Sequence, residues 1–241
     1  MDEVKRLVDE LLKLHSSDPN VSDAINSLIK IGQPAVLGLI DAMKGGNGYV
    51  RNSSMDALIT IGTPSVDPLI EILTDPNSRW HEKAATILAR IGGPSVAPLV
   101  AKLIDADPDV RKRIVNTLGW TFDANAVPAL INALNDPDEK VRSQAVFNIE
   151  NISRNLHLME RTLSISLDEF EAKLDECYSN LKNLQTERKQ EIGSCFATLK
   201  NAVALRRNLQ SPDKGILLTE KPRPPKSGKG IYRAMRVIHN G

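Results

Sequence analysis

Aromatic residues make up only 4% of this sequence, two cysteines are its whole thiol complement, and no run of 18 apolar residues occurs in its 241 positions. The scarcity of rings excludes a core organised around Trp, Tyr and Phe. It favours thin helical layers of Leu, Ile, Val and Ala, which the 41% hydrophobic content supplies. Cys177 and Cys195 are 18 residues apart, which on one uninterrupted helix is about 27 Å and far beyond disulfide reach. They read as reduced thiols. With no long apolar run there is no single-helix membrane span, and Met1-Asp2-Glu3-Val4-Lys5-Arg6 opens an amphipathic helix where a secretory signal would be apolar. The expectation is a soluble, cytoplasmic protein.

Charge of one sign is also missing, since the formal net charge is +1. That balance conceals an asymmetry: residues 1–155 hold 16 Lys/Arg against 20 Asp/Glu, and residues 200–241 hold 10 against 2.

What the sequence does have is self-similarity. Ile31-Gly32-Gln33-Pro34, Ile61-Gly62-Thr63-Pro64 and Ile91-Gly92-Gly93-Pro94 recur every 30 residues, a period that means stacked helical units. Each Gly-x-Pro leads into a short apolar segment, with Pro68, Pro98 and Pro128 placed in an opening turn whose N–H groups have no intrahelical acceptor. Asp-Pro turns follow at Asp18-Pro19, Asp75-Pro76, Asp107-Pro108 and Asp136-Pro137, with Asp available to cap the next helix. Second helices beginning at Val50, Trp80, Val110 and Val141 carry one buried stripe each. Gly32, Gly62 and Gly92 are expected to end them in the left-handed cap conformation.

The segments "DPDVRKRIVNTLG", "DPDEKVRSQAVFNI" and "IGTPSVDPLIEIL" resemble the short HEAT-like repeats named after phycobilisome lyases, over residues from roughly 20 to 155. The resemblance implies an all-α solenoid of about five helical hairpins, capped by the amphipathic helix through Val4, Leu7, Val8, Leu11 and Leu12. It identifies no bilin pocket. His81-Glu82 is similar to half of the iron site in deoxyhypusine hydroxylases, a HEAT-like enzyme family whose His-Glu pairs open second helices. The matching positions here are Arg51-Asn52, Arg111-Lys112 and Arg142-Ser143, and cationic side chains cannot complete that centre. His15, His157 and His239 have no partners at zinc-ligand spacing. Neither Gly45-Gly46-Asn47-Gly48 nor Lys226-Ser227-Gly228-Lys229-Gly230 has P-loop spacing. The expectation is a non-enzyme without metal or cofactor.

Arg51, Arg111 and Arg142 recur with the repeat, which favours a structural role pairing with turn residues over a basic ladder for phosphate or acidic peptide. A solenoid of this type normally lines its inner face with second helices. The partner-binding residues expected there are Asn52, Met55, Ile59, Glu82, Ala85, Ala89, Lys112, Val115 and Trp120. Trp120-Thr121-Phe122 interrupts the Ile-Gly ending, either as a partner anchor or as a repair of packing.

Beyond residue 155 the repeat disappears. Over 156–210, Ser166-Leu167-Asp168-Glu169 forms a capping box, and Leu163, Leu167, Phe170, Leu174, Cys177, Leu181 and Leu184 alternate spacings of four and three, a coiled-coil-type seam. Arg188 breaks it, and Ile192, Phe196, Leu199 and Val203 resume it. Two arrangements follow: a homodimer through 163–203, or a helical hairpin laid on the last repeat. Residues 211–241 form a basic, Pro-rich tail with Lys221, Arg223, Lys226, Lys229, Arg233 and Arg236, extended in character. The function this implies is a protein-interaction scaffold or assembly factor. The alternatives are a nucleic-acid-associated protein using its tail and a HEAT-like enzyme subunit of lyase or hydroxylase type.

Overall fold

The computed structural model describes residues 2–14, 18, 20–155, 167–181 and 189–210, and these are helical with no strand among them. Twelve α-helices are described: α1 (Asp2–Leu11), α2 (Asn20–Ile31), α3 (Val36–Gly45), α4 (Gly48–Ile61), α5 (Val66–Thr74), α6 (His81–Ile91), α7 (Gly93–Ala101), α8 (Pro108–Trp120), α9 (Val127–Ala133), α10 (Glu139–Arg154), α11 (Leu167–Leu181) and α12 (Lys189–Gln210). They stack as pairs. The even-numbered second helices form one layer in the order α2, α4, α6, α8, α10, α12, each packed on the next, and odd-numbered first helices back them. The protein is an α-solenoid. Among the described residues no single helix is long and apolar enough to cross a membrane.

A single aliphatic core threads the stack, from Leu11 and Leu28 through Leu58, Leu88 and Leu118 to Ile149 and Leu199, all buried. No pair encloses its own apolar stripe. Leu58 and Leu88 are covered only because neighbouring pairs are present, so stability is shared along the stack.

The turns between pairs are backbone devices. Gly32, Gly62 and Gly92 adopt φ near 73° with ψ between −124° and −131°. The expected left-handed cap has positive ψ; the observed conformation lies instead in a region essentially reserved for glycine. Each glycine N–H still bonds the carbonyl four residues back. Buried Ser65 and Ser95 reinforce the turn by donating to the Leu58 and Leu88 carbonyls at 3.0 and 2.9 Å. At the equivalent place after α8 the chain has no glycine, and Phe122 itself takes φ 49°. It is buried and meets Trp120 edge-to-face at 6.1 Å. The Trp120–Phe122 interruption is therefore packing.

Helix starts follow the expected chemistry in part: Asp75 accepts from the Asn77 N–H and does not cap α6, whose start at Trp80 has no side-chain cap, and one other cap is shifted. Asp107 caps α8 through the Val110 N–H, whereas α10 is capped by Asp138, two residues beyond the predicted Asp136. Asp136 is used elsewhere. Asn47 replaces the Asp-Pro turn and caps α4 through the Tyr49 and Val50 N–H groups.

The segment after the repeats folds back. Phe170, Leu174, Ile192, Phe196, Leu199 and Val203 are buried, with α12 against α10 and α11 against α9. Of the two arrangements read from the seam, this is the hairpin laid on the last repeat. Its apolar stripe faces the solenoid, and Arg207 ties α12 to α11 by donating to Glu171 at 2.9 Å. Leu163, Leu184, Arg188 and the side chains of Leu167, Cys177 and Leu181 lie outside the described residues, as do Lys221, Arg223, Lys226, Lys229, Arg233 and Arg236.

Candidate interaction surface

The first turns of α4, α8 and α10 repeat one cationic position. Arg51 donates to the carbonyls of Met43 and Gly46 at 3.2 and 3.1 Å, and its guanidinium lies 5.3 Å from the centre of the Trp80 ring in the next pair. Arg111 donates to the Ala106 carbonyl at 2.7 Å and grips Asp136 of the next pair with two bonds of 2.8 Å. Arg142 donates to the carbonyls of Asp136 and Pro137 at 2.9 and 2.8 Å. Each arginine closes the free carbonyl end behind a first helix, and two also reach the following pair. The role is structural.

His81 is the fourth rung of this ladder. Its Nε2 meets the Asp75 carbonyl, the same job the arginines perform in their own pairs. That gives His81 a structural role in the turn; among the described residues no three or more His, Cys, Asp or Glu side chains are grouped to hold an ion.

The Arg111–Asp136 pair is the most enclosed ion pair in the ladder, with side chains 17% and 11% exposed. Burial pushes the Asp136 carboxyl up, but the Arg111 hydrogen bond and the Asp138 N–H outweigh it and hold the group below the ordinary carboxylate range. The hydrogen bond to Asp136 in turn raises Arg111 against the opposing effect of desolvation.

Asn52 and Glu82 are exposed on the free face of the second-helix layer; Ile59, Ala85, Ala89 and Lys112 are half-buried. Met55, Val115 and Trp120 are buried, which corrects their assignment to a partner-binding face: they sit on the flanks where one second helix packs on the next. Sequence reasoning missed Phe147 of α10, which is 42% exposed on this layer, because its repeat equivalents are Asp56, Thr86 and Asn116. Asp56 is itself engaged across pairs by Arg90 at 2.7 Å.

Between α8 and α10 an amide network crosses the layer. Asn148 is fully buried and donates to the Val115 carbonyl at 2.7 Å. Gln144 donates to Asn116 Oδ1 at 3.0 Å and to Asn148 Oδ1 at 3.3 Å, and the Trp120 indole N–H donates to Asn116 Oδ1 at 3.3 Å. Gly119 makes room for it: a Cβ there would collide with the Asn148 side chain.

Comparison with known proteins bears on the repeats. Residues 36–106 and 96–152 match the family model for HEAT repeats. No curated protein matches the chain. Among solved structures the chain is similar to a designed armadillo repeat protein in complex with the peptide (KR)4, at 20% identity and TM-score 0.39, covering 82% of this chain and 98% of that one. It is similar also to an engineered protein, at 19% identity and TM-score 0.33 with 84% and 98% covered, and to a second designed armadillo repeat protein, at 18% identity and TM-score 0.33 with 82% and 98% covered. The two overlapping family matches, together just under half of the chain, fall on the helical pairs from α3 to α10, so residues 36–152 are similar to HEAT repeats.

Proposed function

We propose that the protein is a non-catalytic scaffold or assembly factor of the cytoplasm that binds a protein partner on the free face of its second-helix layer. The observation that carries this reading is the exposed Phe147 on that face, which also carries Ser143 one turn before it and Lys112 on α8. An apolar side chain held out among polar and cationic neighbours on a rigid layer matches the anchor-and-rim pattern of protein interfaces. The ladder of arginines supports it indirectly, since those cations are spent on carbonyls, on Trp80 and on Asp136 and are not a phosphate ladder for a nucleic-acid backbone.

The test is affinity capture from an extract of the source cell, with and without nuclease, using the full chain and its Phe147→Asp and Lys112→Glu variants. A stoichiometric protein that survives nuclease and is lost with both variants, while their circular dichroism matches the parent, is the expected result. Capture of nucleic acid that vanishes when the chain ends at Gln210, with no effect of either variant, contradicts the reading and moves the function to the basic 211–241 segment.

A further inference from the structure

The amide network between α8 and α10 fixes more than packing. The Val115 carbonyl can only accept, so Asn148 must turn its Nδ2 toward it and leave Oδ1 facing Gln144. Gln144 must then present Nε2, whose two hydrogens serve Asn148 and Asn116. The indole N–H of Trp120 can only donate, so Asn116 Oδ1 faces inward to receive both it and Gln144. Each amide is held in one orientation from two sides.

Two polar atoms are left over: Asn116 Nδ2, a donor, and Gln144 Oε1, an acceptor, neither with a hydrogen-bond partner among the described residues. Both residues are half-buried on the free face of the second-helix layer. Resting on the partner surface described above, we propose that this pair reads the backbone of an extended partner peptide, Asn116 Nδ2 donating to a peptide C=O and Gln144 Oε1 accepting from a peptide N–H. Such a fixed donor and acceptor match one residue of an extended chain, whose own N–H and C=O point to the same side. A phosphate carries acceptors alone and would be repelled by Gln144 Oε1. Orientation is set before binding, so little ordering cost falls on the protein.

The flanks define the peptide's side chains. Lys112 stands one turn before Asn116 and Arg113 beside it, with Lys83 on the adjoining α6. Of the nearby acids, Asp109 and Glu150 pair with Lys140 at 3.9 Å and Arg154 at 2.6 Å, and Glu82, exposed on the same face, is outnumbered by Lys83, Lys112 and Arg113. Phe147 follows Gln144 by three residues and is exposed. The face therefore takes an extended segment with an acidic residue near an apolar one. The same charge disfavours the chain's own 211–241 segment, which is basic.

The probe is a phage-displayed library of random linear peptides selected on the full chain, with binders then titrated against variants. Asn116→Asp keeps the acceptor that Trp120 and Gln144 need and removes the outward donor. Selected peptides should combine acidic and apolar residues, weaken about tenfold or more with Asn116→Asp, the equivalent of roughly 1.4 kcal/mol, and weaken again with Lys112→Glu and Phe147→Ala. Thermal melts of the variants should match the parent. A library that yields no binder overturns the proposal, as do peptides indifferent to Asn116→Asp and a single-stranded oligonucleotide that binds with loss only in Lys112→Glu. In those cases, capture of a protein partner that still depends on Phe147 and Lys112 keeps the broader surface reading; loss of that dependence removes both.

Discussion

The stack is closed by two different means in its two halves. From α2 to α6 the pairs end in glycines at φ near 73° followed by a proline, so the geometry is written into the backbone and repeated. From α8 onward side chains replace the motif. Phe122 holds the positive-φ position itself, Asn148 inserts beside Gly119, and α11 and α12 dock through Phe170, Phe196 and Val203. The helices nevertheless continue one layered stack. Stacking of apolar stripes is the common requirement, and the glycine turn is only one way to meet it.

Predictions that would break this comparison begin in the side-chain-keyed half. Phe196→Ala empties a buried position between α12 and the last repeat and should cost about 3–5 kcal/mol in urea unfolding, with loss shared by α10 if the stack is one body. Gly119→Ala drives a methyl into Asn148 and should cost about 1–3 kcal/mol, measured by the same titration. Asp136→Asn removes a two-bond grip and should cost about 1–3 kcal/mol. That contribution also has a pH signature. Because the folded carboxyl lies below its ordinary value, its stabilisation is full above the unfolded carboxylate pKa near about 4 and is lost as pH falls through the folded value, so Asp136→Asn should flatten the acid limb of stability. His81→Arg sharpens the comparison from the other side: restoring the ladder residue should leave the melting midpoint near the parent's, a change within about 0.5 kcal/mol.

The halves also differ in how far they could be read before the structure. The pairs through α10 follow from Gly-x-Pro, the helical stripe and the recurring arginines, because each records a local requirement of one turn or one helix. The role of His81 was hidden because chemistry draws the eye to His-Glu, and only its contact with the Asp75 carbonyl shows it doing an arginine's work. The seam of α11 and α12 was visible as a stripe, but a stripe does not say what covers it. Phe147 and the Asn116–Gln144 pair escaped detection for a related reason. Their meaning depends on which flank of α8 and α10 the neighbouring helix covers, a property of stacking that period alone does not fix. For the same reason the repeat period puts Met55, Val115 and Trp120 on the free face although they are buried.

The central claim, that α11 and α12 complete one stack with the repeats, is tested most directly by hydrogen exchange of the full chain and its Phe196→Ala variant, read by mass spectrometry. Loss of protection spreading from α11 and α12 into α10 and α8 is the predicted result. Loss confined to α11 and α12, with α10 as protected as in the parent, would contradict it.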